Sequence, residues 1–134
     1  MAKLEEIEGI GPAFAGKLRK AGVRSTGDLL KKGATPAGRK QISKDSGIPG
    51  KLVLEWVNHS DLFRIKGVGE EYADLLEEAG VDSVVELSKR KAVNLLEAIK
   101  KANEKKKLVR LLPGLSRVEE WINQAKKLPR AIKY

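Results

Sequence analysis

The sequence predicts an all-α fold made of two similar halves, and three observations carry that prediction. No segment of the 134 residues sustains the period-two alternation of a half-buried strand. Helix start and stop residues recur at short intervals along the whole chain. Finally, the stretch "IEGIGPAFAGKLRKAGV" at Ile7 to Val23 returns as "IKGVGEEYADLLEEAGV" at Ile65 to Val81. An offset of 58 superposes Ile7, Gly9, Gly11, Ala15 and Leu18 on Ile65, Gly67, Gly69, Ala73 and Leu76. The register persists through Ala21, Gly22, Val23, Ser25 and Leu29, so the two copies form an internal duplication. The tails agree as well: "EWVNH" at Glu55 to His59 returns as "EWINQ" at Glu120 to Gln124, with seven extra residues in the second copy.

Each element has a local cause. Pro12 suits the first position of a helix whose apolar residues Phe14, Ala15 and Leu18 share one face, and Gly22 suits the left-handed residue that closes it. Tyr72, Ala73 and Leu76 repeat that face before Gly80. Ser25 with Asp28, Ser83 with Glu86 and Ser116 with Glu119 carry the spacing of a capping box, and each opens a further helix. Thr35 before Pro36, and Pro49 after Gly47, mark two more starts. Helices are therefore expected near residues 12–21, 26–32, 36–45, 50–59, 70–79, 84–90, 92–103 and 117–127. The halves divide as 1–60 and 61–134 and are expected to pack as one compact pseudo-symmetric unit.

Composition narrows the function classes. Hydrophobic residues make up 41% and charged residues 34% of the chain, the balance of a soluble globular protein with a charged surface. With no cysteine, disulfides, thiolate zinc sites and cysteine nucleophiles are excluded, and a cytoplasmic location fits best. No apolar run approaches the roughly eighteen residues of a membrane span, and "MAKLEEIEGIGP" lacks the apolar core of a signal peptide. A formal charge of +9 favours polyanionic partners, nucleic acid first and an anionic membrane surface well behind.

The glycine stretch resembles the helix-hairpin-helix motif: an apolar residue, Gly-apolar-Gly, often a proline, then Ala and Leu three apart, ending in Ala-Gly. The first copy matches at every one of those positions and the second at all but the proline. Each half carries a more degenerate hairpin besides, "SGIPGKLVLEWV" at Ser46 to Val57 and "LLPGLSRVEEWI" at Leu111 to Ile122. Two hairpins per half resemble the paired helix-hairpin-helix domain of DNA repair and recombination proteins, here present twice. Nearly the whole chain is similar to an uncharacterised bacterial family of tandem helix-hairpin-helix proteins. The resemblance implies sequence-nonspecific DNA binding through main-chain amides, and it admits a monovalent cation held by hairpin carbonyls. It equally admits a protein-binding or structural role.

The chemistry behind that implication is elementary. A tight glycine turn lets a ligand oxygen approach the main chain, and the unpaired amides of the next helix point outward with the positive end of its dipole. A phosphate fits there without any base being read. The expected phosphate contacts are Gly9, Ile10 and Gly11 with Lys17, Arg19 and Lys20, joined by Gly47, Gly50 and Lys51 of the second hairpin. Charge separates the copies: Gly67 to Glu86 holds seven acids and no base, with Glu70 and Glu71 where a phosphate would sit. Residues 87–134 carry fourteen bases against four acids, densest at Lys100, Lys101, Lys105, Lys106, Lys107 and Arg110. That run reads as a diffuse positive field, as a solvated helix, or as the partner of the acidic strip within or between molecules.

Trp56 and Trp121 take equivalent places among apolar neighbours and are expected to anchor cores rather than stack on bases. His59, the sole histidine, is expected to be neither metal ligand nor catalyst. No nucleophile, base and orienting group stand at persuasive spacing, and the chain lacks a second domain to enclose a flipped base, so no catalysis is expected. The leading expectation is a cytoplasmic, non-enzymatic DNA-binding protein without metal. A protein-protein or self-assembly module is the alternative.

Overall fold

The computed structural model describes residues 3–7 and 9–134, and among them every regular element is helical. A short 3-10 helix, Leu4–Glu6, precedes eight α-helices: α1 Pro12–Lys20, α2 Thr26–Lys32, α3 Pro36–Ser46, α4 Gly50–Leu62, α5 Glu70–Glu78, α6 Val84–Ser88, α7 Ala92–Lys106 and α8 Leu115–Lys127. All eight expected helices are present, six of them with ends within a residue or two of the expected ones. The larger differences are at the C-terminal ends of α4 and α7, each three residues longer than the pattern suggested. The 3-10 turn has no counterpart among the expected elements.

Contacts divide the chain into two units, Met1–Asp61 with Ala131–Tyr134, and Leu62–Arg130. In the first unit α3 packs on α1 and α2. Its core holds Ile7, Leu18, Leu29, Ile48, Val53 and Trp56, with Trp56 only 2% exposed. The last four residues run against the same unit: Lys133 N–H donates to the Ala34 carbonyl at 2.7 Å, and Arg39 Nη2 donates to the Lys133 carbonyl at 2.9 Å. Tyr134 closes this strap by donating to Asn58 Oδ1 at 2.8 Å. In the second unit α8 packs on α6 and α7, and α5 on α7, around Leu76, Leu87, Leu95, Ile99, Val118 and Trp121. Each fully buried leucine among them contributes roughly 1.5–3 kcal/mol.

The duplicated sequence produces duplicated local geometry. Val23 N–H reaches the Leu18 carbonyl and Gly22 N–H the Arg19 carbonyl, which satisfies the last carbonyls of α1 through a left-handed glycine. Val81 to Leu76 and Gly80 to Glu77 do the same for α5. A long basic side chain then finishes each end, Lys32 Nζ on the Gly22 carbonyl at 2.5 Å and Arg90 Nη2 on the Gly80 carbonyl at 2.9 Å. Ser25 and Ser83 cap α2 and α6 by accepting from Asp28 and Glu86 N–H. Of the expected capping pairs, Ser116 differs: α8 starts two residues earlier than expected, at Leu115, with Gly114 at its N-cap.

Candidate nucleic-acid interface

The first glycine turn is fixed from below by an aromatic pair. Gly9 takes φ of +90°, and the position a Cβ would fill lies 3.7 Å from Trp56 Nε1 of α4. Phe14, in the first turn of α1, packs tilted against that tryptophan with ring centroids 5.2 Å apart and ring planes at 60°. Lys17 Nζ stands 5.7 Å over the Phe14 ring. A buried indole thus ties together the turn, the first turn of α1 and one of its cations.

The three expected turn residues differ in the N–H groups they leave open. Ile10 N–H is already given to the Ile7 carbonyl at 3.1 Å, and its side chain is buried, so Ile10 builds the turn and has no amide left for a ligand. Pro12 has no N–H. Among the described residues, the N–H groups of Gly9, Gly11, Ala13 and Phe14 have no acceptor. Gly11 is exposed, with nothing within 4 Å of where its Cβ would be. Ala13 and Phe14, which the sequence expectation did not include, are therefore better placed as donors than Ile10. Counting donors from Pro12 onward would have found them.

The three expected cations take different surroundings. Lys17 and Lys20 are exposed and lie three residues apart, on one face of α1 beside Ala13 and Gly16. Arg19 points elsewhere: its Nη2 donates to Glu5 Oε1 at 2.8 Å and Oε2 at 3.0 Å. The Arg19 hydrogen bonds hold the Glu5 carboxyl below the usual carboxylate range. No acid lies between Gly11 and Asp28 in the sequence, and Glu5 enters only because the 3-10 turn folds back beside α1. At the second expected hairpin, Gly47 takes φ of +74° to end α3, while Gly50 and Lys51 are exposed in the first turn of α4. Their N–H groups also lack acceptors among the described residues, since the Pro49 carbonyl takes Leu52 and Val53.

The second unit repeats the turn with different charges. Gly67 takes φ of +93° over Trp121, with a Cβ position 3.1 Å from Nε1, and Tyr72 replaces Phe14 at 5.2 Å from the indole. Val68 N–H goes to the Ile65 carbonyl, as in the first copy. Gln124 clamps Lys66 through both its N–H and its carbonyl, at 2.9 and 3.2 Å. Glu70 and Glu71 stand exposed in the first turn of α5, where their charge favours the helix and disfavours an anion. One cation reaches this turn from outside its own segment. Arg117 of α8 lies 5.2 Å over the Tyr72 ring and 5.9 Å over Trp121, beside Gly67. Residues 67–86 alone could not reveal it, because it arrives from a helix thirty residues further on.

The basic run falls wholly in the second unit. Lys100 lies 3.8 Å from Glu97, one turn back on α7. Lys101, Lys105 and Lys106 join Glu78 of α5 around a cavity of about 270 Å3 floored by Ala79, Ala98 and Ala102. Lys107 ends α7 in a left-handed conformation at φ of +50°. Arg110 stands exposed on the following connection.

Residues 8–128 match the family described as "Domain of unknown function (DUF4332)". The chain belongs to this family. The match spans both units and both glycine turns, and ends before the C-terminal strap. No curated protein and no solved structure matches the chain. No helix among the described residues is long and apolar enough to cross a membrane.

Proposed function

We propose that this DUF4332 chain is a non-enzymatic, cytoplasmic protein that binds the DNA backbone weakly and without sequence preference, through the first glycine turn. The observation that carries the reading is the set of N–H groups at Gly9, Gly11, Ala13 and Phe14 that have no acceptor among the described residues, at the positive end of α1 and with no acid in its first turn. Four donors at a helix start suit a phosphate, and none of them can read a base. Lys17 and Lys20 supply exposed charge on the same helix, with Gly50 and Lys51 as a second donor pair. The resemblance of both halves to helix-hairpin-helix modules supports the same reading, as do duplicated turns at Gly9 and Gly67. Lys100, Lys101, Lys105, Lys106, Lys107 and Arg110 add a positive field in the second unit. The second turn plays no part, because Glu70 and Glu71 meet an incoming phosphate with repulsion.

The competing assembly reading draws on the acidic strip of α5. Glu78 shares its cavity with three lysines of its own unit, which favours charge balance inside one molecule. Titration of a labelled duplex at several salt concentrations separates the two. Backbone binding gives a linear fall of log affinity with log salt and little change with sequence. An absence of binding at low salt sinks the reading, and salt-sensitive dimers in sedimentation would put assembly in its place.

A further inference from the structure

The connection between α7 and α8 presents leucines to solvent in a stretch of sequence rich in cations. Leu111 keeps 76% of its surface exposed, Leu115 38% and Leu112 36%. Single exposed leucines need no explanation, but three within five residues form a patch. Flanking them in the chain are Lys105, Lys106, Lys107, Arg110 and Arg117, and no acid occurs between Glu104 and Glu119. Lys105 and Lys106 share a cavity with Glu78, and among the described residues neither Lys107 nor Arg110 is in an ion pair with a carboxylate.

This crest is held in place rather than frayed. Asn103 brackets Val109 from both sides, accepting from its N–H at 3.1 Å and donating to its carbonyl at 3.2 Å. Tyr72 Oη donates to the Leu111 carbonyl at 3.3 Å, and Pro113 is buried. The main chain is thus anchored before, at and after the leucines, so their exposure follows from the fold. The corresponding connection in the first unit, Gly47 to Pro49, is shorter, buries Ile48 and exposes no leucine. The additional residues of the second copy build the crest.

We propose that this crest docks on an anionic lipid surface, the cations meeting headgroup phosphates and carboxylates while Leu111, Leu112 and Leu115 enter the headgroup–acyl boundary. Charge complementarity selects the partner: the patch needs a surface that is anionic outside and apolar just beneath. A leucine as exposed as Leu111 projects from the surface and does not line a groove for a peptide. Duplex DNA satisfies the lysines and leaves the leucines in water. Polybasic segments beside apolar side chains gain both lipid electrostatics and apolar burial, and neither alone gives stable attachment.

The test is flotation of the full chain with vesicles of neutral phosphatidylcholine, or of the same lipid containing roughly one-third phosphatidylserine. The expected result is flotation with the anionic vesicles only. Leu111→Ser with Leu112→Ser should weaken that binding about tenfold or more while leaving duplex affinity and helical circular dichroism unchanged. Lys106→Glu with Lys107→Glu should abolish it. No flotation of the wild-type chain overturns the proposal, as does a leucine variant that floats like wild type, which would reduce the effect to charge alone. A leucine variant that loses duplex affinity in the same proportion also overturns it, by assigning the crest to DNA.

Discussion

Arg19 Nη2 rests on the Glu5 carboxylate, 2.8 Å from one oxygen and 3.0 Å from the other. The pair ties the N-terminal 3-10 turn to α1 and withholds one cation from the face that Lys17 and Lys20 share. Glu5→Gln releases that charge. The variant should bind duplex more tightly at low salt and show a log–log salt slope steeper by up to about 1, the increment for one further phosphate contact. The same pair sets a pH dependence. Because the Glu5 carboxyl is held below its ordinary range in the folded chain, its contribution to stability is present above that range and is lost as pH falls through the lowered value. The effect on an exposed pair is small, so wild type and Glu5→Gln should converge in acid denaturation only at the acid end of the curve.

Charge reversal at Lys17 and Lys20 tests which turn is active. Lys17→Glu with Lys20→Glu should lower duplex affinity by about ten- to a hundredfold at low salt and flatten the salt slope by about 2. Glu70→Gln with Glu71→Gln should change it far less. Equal effects of the two double variants would remove the assignment to the first turn.

The turn glycines report on the backbone. Gly9→Ala places a Cβ at φ of +90° and should cost about 1–3 kcal/mol, read from the urea midpoint. Gly67→Ala should cost more, because its Cβ position is 3.1 Å from Trp121 Nε1 against 3.7 Å from Trp56 at Gly9. A smaller loss at Gly67 would mean that Trp121 and Arg117 shift without strain.

Lys107 is the one non-glycine with positive φ among the described residues. Left-handed geometry costs an L side chain roughly 1–2 kcal/mol, and glycine gives back part of that gain as unfolded-chain entropy. Lys107→Gly should therefore stabilise by about 0.5 kcal/mol, and Lys107→Ala should not. Urea unfolding of the three proteins side by side checks the order.

Most of the helix pattern was legible because its signals are local. Pro12, Ser25, Thr35 and Ser83 start helices through the residues next to them, and Gly22, Gly47 and Gly80 end helices by a backbone geometry that needs no partner elsewhere. The tryptophans were legible as core anchors for a similar reason, since apolar neighbours at helical spacing define a buried face. The 3-10 turn was not, because three residues carry too little pattern to stand out from a loop.

The site was legible in outline and altered in detail. By itself the sequence determined where the chain turns, which turn carries acids and that the protein is strongly basic, since charge and glycine placement are properties of single positions. Only the tertiary structure decided which groups are available. Ile10 spends its amide on Ile7, Glu5 engages Arg19 across the fold, Arg117 arrives at the second turn from α8, and Tyr72 and Asn103 hold the leucine crest in water. Hydrogen bonds and ion pairs form between groups that are near in space, and except within a helix or a turn, nearness in space is not written in sequence order.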